Sequence, residues 1–343
     1  MRRIARLAVM AALASTPTAA DEIADFYRGK QIDLIIGASV GGGYDAYGRL
    51  LARHLGNQLP GRPAVVPRNM PGASSNKATS YVYEIAPRDG LTLGVINSGA
   101  VLEPLLGDKL AGVDSTRLIY IGNANRETYL CYARAESPVK QFADLFDRQM
   151  IVAATAEGGP THDFPTLLAN LLGVKLRIIA GYPGTREISL AVEQGEADGQ
   201  CGYGWSSLYQ AQPHWIAEHK INILAQEALV GHPTMTEMGV PLTISFAKTD
   251  AQREIMSLVY GQLAFARPII APPGTPPARV AALRQAFMAT MRDPALIEDA
   301  AKTRLDVNPV SGEEVQETVA KMFALPHDLV ERAKQAMVYK TPN

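Results

Sequence analysis

The 343-residue chain has only two cysteines, no surplus of basic residues and no long apolar run beyond its first twenty residues. Each shortage excludes something. Two cysteines, with no CxxC and no Cys/His spacing, argue against a metal centre. Lys and Arg number 33 against 34 Asp and Glu, a formal net charge of −1, which leaves no basic surface for nucleic acid. No later stretch reaches the about 20 apolar residues that a membrane-spanning helix needs. What remains is a globular composition: 47% hydrophobic, 20% charged, 29 Gly and 23 Pro. It excludes a disordered chain, a collagen-like repeat and a coiled coil. The length accommodates two domains.

Residues 1–20 read as an address. Arg2, Arg3 and Arg6 precede a short apolar run over residues 7–14, and Thr18-Ala19-Ala20 supplies small residues for cleavage after Ala20. This is the pattern of a cleavable export signal, too short to anchor the chain. Its loss removes three Arg and no acid, leaving 30 basic against 34 acidic residues and a net charge of −4. Cys131 and Cys201 both lie in the mature chain. In an oxidising compartment such a pair is expected to form one disulfide.

Past the leader a unit repeats: a short β-branched strand, a Gly-rich polar loop and an amphipathic helix. Strands are expected at residues 32–36, 64–66 and 92–96, and again at 151–154 and 175–179. Helices are expected from about Asp45, up to about Ala86, up to about Leu172 and up to about Gln194. The residues over 118–123 and 129–134 suit crossover strands, and 255–266 suits a return crossing. The fold class is therefore α/β: two lobes, each with a mostly parallel sheet flanked by helices, joined as a hinged clamshell. The first lobe takes residues 21–125 plus 257–305 and the second 126–256. Residues 306–343 form a C-terminal helical segment across the lobes, with Ser311-Gly312-Glu313-Glu314 as a capping box.

The loops hold no Lys and no Arg. They offer backbone N–H groups, hydroxyls, amides and helix N-termini, each terminus carrying roughly half a positive charge. That chemistry suits a small anion such as a carboxylate, held at the carboxyl ends of the strands. Asn97 and Ser98 close the third loop. Tyr44, Tyr182, Tyr203 and Trp205 lie in or beside loops, and two of them facing the cleft would imply a flat or apolar ligand body. Asp45 suits a helix cap, and Arg126 a solvated surface position or an anion partner in the hinge. Two enzyme motifs compete. Gly37-Ala38-Ser39-Val40-Gly41 matches GxSxG, but only 18 residues separate Asp21 from Ser39, too few for the sheet a nucleophile elbow needs. Gly41-Gly42-Gly43-Tyr44-Asp45-Ala46 matches a dinucleotide fingerprint; the acid about 20 residues on is missing, though Arg62 or Arg68 could suit a 2′-phosphate, and export to a compartment without a nicotinamide pool argues against it.

Several segments resemble the Bug-type receptors, the extracytoplasmic solute-binding proteins of tripartite tricarboxylate transporters. They are Gly41-Gly42-Gly43-Tyr44-Asp45 with Arg49, Asn69-Met70-Pro71-Gly72-Ala73, Ala86-Pro87-Arg88-Asp89-Gly90, Gly181-Tyr182-Pro183-Gly184, residues 193–199 and Ala271-Pro272-Pro273-Gly274. The resemblance covers nearly the whole mature chain. It implies a periplasmic, two-lobed clamshell of the type II-like binding-protein class. Such a receptor would capture an organic acid and deliver it to membrane subunits of the transporter. It would be a monomer without enzymatic activity, cofactor or metal, and a ligand-sensing role on the same fold stays open. The resemblance places the ligand against Ser39, Val40, Gly41, Gly42, Gly43, Tyr44 and Asp45, and against Gly72, Ala73, Ser74 and Ser75. From the second lobe it implies Ala156, Glu157, Gly158, Gly159 and Thr161, then Tyr182 and Gly184, then the region of Cys201 and Trp205. Ser74 and Ser75 stand where relatives carry small glycine-type residues, adding hydroxyls to the second loop.

Overall fold

The computed structural model describes residues 19–107, 110 and 112–339. The expected leader falls on residues 1–20, of which 1–18 lie outside the described residues. The chain opens with α1 (Ala19–Tyr27), β1 (Gln31–Ile36), α2 (Gly43–Gln58) and β2 (Ala64–Asn69). It continues with α3 (Asn76–Ser80), β3 (Thr92–Val95), α4 (Ser98–Leu106) and β4 (Ile119–Asn123). The helix expected up to Ala86 is broken into a 3-10 turn, the short α3 and a π turn over Tyr81–Ile85. Such π turns recur beside functional sites.

The chain then crosses to a second lobe. There it forms β5 (Tyr129–Arg134), β6 (Met150–Ala153), α5 (Pro160–Leu172), β7 (Leu176–Ile179) and α6 (Thr185–Glu193). β8 (Gly199–Gly204), α7 (Trp205–Ala211), α8 (Pro213–Ala217), β9 (Ile221–Glu227), α9 (Pro233–Glu237) and α10 (Asp250–Gly261) follow. On return come β10 (Pro268–Ala271), α11 (Pro277–Arg292), α12 (Pro294–Lys302), β11 (Val310–Ser311), α13 (Gly312–Phe323) and α14 (His327–Met337).

The two sheets run β11-β4-β10-β3-β1-β2 and β7-β6-β8-β5-β9. Both are mixed rather than simply parallel. β1 is parallel to β2 and β3, and β6 is parallel to β7 and β8. Two of the reversed strands share a cause. β5 and β10 are the first strands the chain makes after each crossing, and both run antiparallel to their neighbours. The other strands of the βα units point their carboxyl ends at the cleft, so a chain arriving through the cleft must run away from it.

Each sheet is covered on both faces. Leu34, Ile36 and Val95 pack with Leu51 of α2 and Phe287 of α11, while Ile35 and Tyr120 face Val315 and Val319 of α13. In the second lobe Val152 and Ile178 pack with Leu167 of α5. The segment expected to return the chain to the first lobe is helical there. Leu258, Val259 and Tyr260 of α10 sit in the second-lobe core, so the return crossing falls just before β10. α14 also packs in that core through Val330, Ala333 and Ala336. Cys131 and Cys201, 70 residues apart in sequence, are bonded to each other between neighbouring strands β5 and β8.

Candidate functional site

Loops from both lobes enclose a cavity of about 350 Å³. That is the small end of the roughly 300–1,000 Å³ typical of small-molecule sites. The first lobe lines it with Ser39, Gly42, Gly43 and Tyr44, then Gly72, Ala73, Ser74 and Ser75, then Asn97. The second lobe contributes Ala156, Thr161, Tyr182 and Gly184. The fold brings these expected positions together around one cavity. The first turns of α2, α5 and α6 all reach the wall, through Gly43 and Tyr44, Pro160 and Thr161, and Thr185. Their first N–H groups have no intrahelical acceptor.

Other expected residues lie elsewhere. Val40 is 53% exposed and Gly41 forms a left-handed turn beside the Arg186 side chain; neither lines the cavity. Asp45 is buried behind the first loop. It accepts the Gly41 N–H at 2.8 Å, Arg49 Nε at 2.9 Å and Asn69 Nδ2 at 2.8 Å. Burial opposes its charge, but Arg49, the Gly41 N–H and Asn69 together hold the carboxyl below its usual range. Asp163 does the same work in the second lobe, accepting the Gly158 N–H at 3.0 Å. Ser98 donates to Gln262 Oε1. Glu157 and Gly158 border a separate cavity, and Gly159 backs onto Ser74.

Cys201 and Trp205 are core residues. β8 bulges at Cys201-Gly202, opposite Cys131 alone, with Gly202 at φ +67°. The bulge breaks the two-residue alternation. Cys201 therefore turns into one second-lobe core while Tyr203 turns to the other face. Trp205 stacks on Tyr209 at 5.9 Å and is 6% exposed.

The second loop is the most constrained. Ala73, Ser74 and Ser75 have φ of 44°, 51° and 77°, three consecutive non-glycine residues in the left-handed region. Each such residue costs on the order of 1 kcal/mol. Hydrogen bonds hold them there. Ser75 Oγ donates to Gly37 O at 2.7 Å and accepts the Asn97 N–H at 3.1 Å, tying all three first-lobe loops together.

The expected site holds no side-chain cation; the observed one does. Arg267, 2% exposed, lines the cavity where the chain re-enters the first lobe. Its Nη2 donates to Glu127 Oε2 and to Ser207 Oγ, both at 3.0 Å; its Nη1 donates to the Tyr129 hydroxyl at 3.0 Å and to Ala266 O. Nε is buried without a hydrogen-bond partner among the described residues. The guanidinium lies 4.6 Å from the Tyr44 ring centre and 5.3 Å from that of Tyr47. Burial works against its charge, but Tyr129, Tyr44 and Glu127 raise its pKa overall. Burial holds the Glu127 carboxyl above its usual range, although Arg267 and the Ser206 donors oppose that shift. Arg126, the hinge arginine singled out in the sequence, pairs instead with Glu314 at the surface. Tyr129, Tyr203, Ser207 and Thr185 also line the cavity. A sequence signal for Arg267 existed: it is the one charged residue in an apolar run from Leu263 to Pro273.

The lobes are closed on one another. Ser39 Oγ donates to Glu187 Oε2 at 3.2 Å, Ser74 Oγ to Ala156 O at 2.6 Å, and the Tyr44 and Tyr129 hydroxyls share a 3.0 Å bond. Two glycines permit this approach. A Cβ at Gly43 would fall 2.0 Å from Ser207 Oγ, and one at Gly184 would fall 2.1 Å from Ser39 Oγ. The serine of the GxSxG match is thus an interlobe contact with a carboxylate partner, and no histidine lines the cavity.

This architecture is the periplasmic binding-protein fold. No protein-family profile and no curated protein matches the chain in sequence. Solved structures do match in fold. The periplasmic binding protein BugD superposes with a TM-score of 0.71 at 23% identity, over 90% of this chain and 98% of its own. Rpa4515 of R. palustris, solved with adipate, gives 0.70 at 20% identity over 89% and 97%. MatC of Rhodopseudomonas palustris, solved with bound malate, gives 0.69 at 19% identity over 88% and 99%.

Proposed function

We propose that this chain is a Bug-type periplasmic solute-binding protein that captures a small carboxylate and hands it to the membrane subunits of a tripartite tricarboxylate transporter. One observation carries the reading: the interlobe cavity is walled by the first turns of three helices, from both lobes. Helix N-termini favour an anion, and they strengthen when closure excludes water. A ligand spanning α2 on one side and α5 and α6 on the other is held only when the lobes meet, so binding and closure are coupled. The fold neighbours solved with adipate and malate support the same class. Ser39 supports binding over hydrolysis: its hydroxyl is engaged in an interlobe hydrogen bond to Glu187, and no histidine stands among the cavity-lining residues.

A thermal-shift screen against carboxylates tests the reading. A ligand at a hundred times its Kd stabilises the folded state by about 2.7 kcal/mol, an upward shift that is easily measured. The absence of a shift with every acid would overturn it.

A further inference from the structure

The carboxylate reading leaves open how many charges the ligand carries, and the cavity's own charges bear on that number. Arg267 is the only ionisable group of formal charge among the lining residues, and Glu127 stands 3.0 Å behind it. Both side chains are 2% exposed. Glu127 also accepts the Ser206 hydroxyl, the Ser206 N–H and the Thr128 N–H. Burial opposes the charge of this carboxyl, and the Arg267 guanidinium at 3.0 Å with the three further donors supports it. As an ion pair, Arg267 and Glu127 present little net charge to the cavity.

The positive ends of the helices are partly offset as well. α2, α5 and α6 each carry an acid in the first turn: Asp45, Asp163 and Glu187. Each faces the half-charge of its own helix end. Most lining hydroxyls are also engaged: Ser74 with Ala156, Ser75 with Gly37, Tyr129 with Tyr44 and Arg267. Arg267 Nε is buried against the wall without a hydrogen-bond partner among the described residues, and the first N–H groups of the three helices have no intrahelical acceptor. The apolar part of the wall includes four tyrosines and Pro71, Pro160 and Pro183. One buried carboxylate can be satisfied there. A second would be desolvated without an opposing charge.

We propose that the cavity takes a ligand with a single carboxylate on a flat, uncharged body, and that Glu127 is the specificity-determining residue that sets this charge limit by neutralising Arg267. This rests on the carboxylate reading and narrows it. The test is calorimetric titration of the wild-type chain at neutral pH with benzoate, phenylacetate, succinate and adipate, alongside an E127Q variant. In the wild type an aromatic monocarboxylate binds at least tenfold more tightly than either dicarboxylate. In E127Q the uncovered Arg267 charge shifts that ratio at least tenfold toward the dicarboxylates. Succinate or adipate binding as tightly as the monocarboxylates in the wild type would overturn the charge limit while leaving the carboxylate reading in place. An unchanged ratio in folded E127Q would overturn the role of Glu127. No response to any of the four acids would overturn both readings. Should E127Q not fold by circular dichroism, the wild-type ratio decides alone.

Discussion

Gly43 separates two explanations for the glycine-rich loop. In one, glycine lets a ligand approach the backbone; in the other, it lets the second lobe approach. The distances favour the second. A Cβ at residue 43 would lie 2.0 Å from Ser207 Oγ and 3.0 Å from Ser207 Cβ, where ordinary contacts begin near 3.4 Å. In Gly43→Ala either the lobes separate by more than 1 Å at this point, on the order of the overlap itself, or Ser207 rotates away. Rotation breaks the 3.0 Å hydrogen bond from Arg267 Nη2, a bond to a charged group worth about 1.5–3 kcal/mol. Taking about 2 kcal/mol, G43A should bind its acid roughly 30-fold more weakly. Titration calorimetry measures that loss, and small-angle scattering should show a more open ligand-saturated form. The decisive comparison is the double variant G43A/S207G, which removes the opposing side chain. Recovery of most of the lost affinity identifies a lobe-to-lobe contact. G43A binding within threefold of wild type, or a double variant no better than G43A, would refute the reasoning.

Two further outcomes follow from the buried charges. Arg267→Met leaves Glu127 buried without its counter-ion, and loss of one partner of such a pair costs about 3–5 kcal/mol, which should appear as a lower urea midpoint without ligand. Glu227 is fully buried beneath the cavity wall, where its Oε2 accepts the Gly202 N–H at 2.5 Å, and burial pushes its pKa from 4.5 up to about 8 despite that bond. Its carboxyl stays protonated in the folded chain while the unfolded chain ionises, so its contribution is fully present below pH 4.5 and is lost as pH rises to about 8. Glu227→Gln should remove that loss, at most on the order of 5 kcal/mol. The variant should gain over wild type in urea midpoint at pH 8.5 and much less at pH 5; an equal gain at both would contradict it.

The architecture was readable because it rests on local patterns. Runs such as Leu34-Ile35-Ile36 and Ile178-Ile179 stop at glycine-rich loops, and the apolar stripe of α2 falls at Leu50, Leu51 and Leu55. The loops at Ser39, Gly72 to Ser75 and Tyr182 lie on the cavity because βα loops leave strands at their carboxyl ends. The remainder depends on tertiary placement. Nothing local says that residue 267 meets residues 44, 127, 129 and 207; that meeting is made by two crossings lying side by side. Cys201 lies in the core because a one-residue bulge shifts the alternation of β8, and Trp205 because α7 carries it against Tyr209 and away from the cavity. Asp45 was half readable: its place in the first turn of α2 was clear, but its grip on the Gly41 turn needs that loop's fold.

The reversed strands also set a timetable for folding. β10 lies in the middle of the first sheet, between β4 and β3, yet it is made only after the whole second lobe. The first lobe therefore cannot complete its sheet while the chain is still emerging, although its first four strands are already present. The second sheet comes from one unbroken stretch, but its core lacks α14 until the end of the chain. Each lobe waits for the other, and the last helix to arrive closes the second core. Damage near the C-terminus should thus be felt by both halves, and the molecule should unfold as one cooperative body rather than as two.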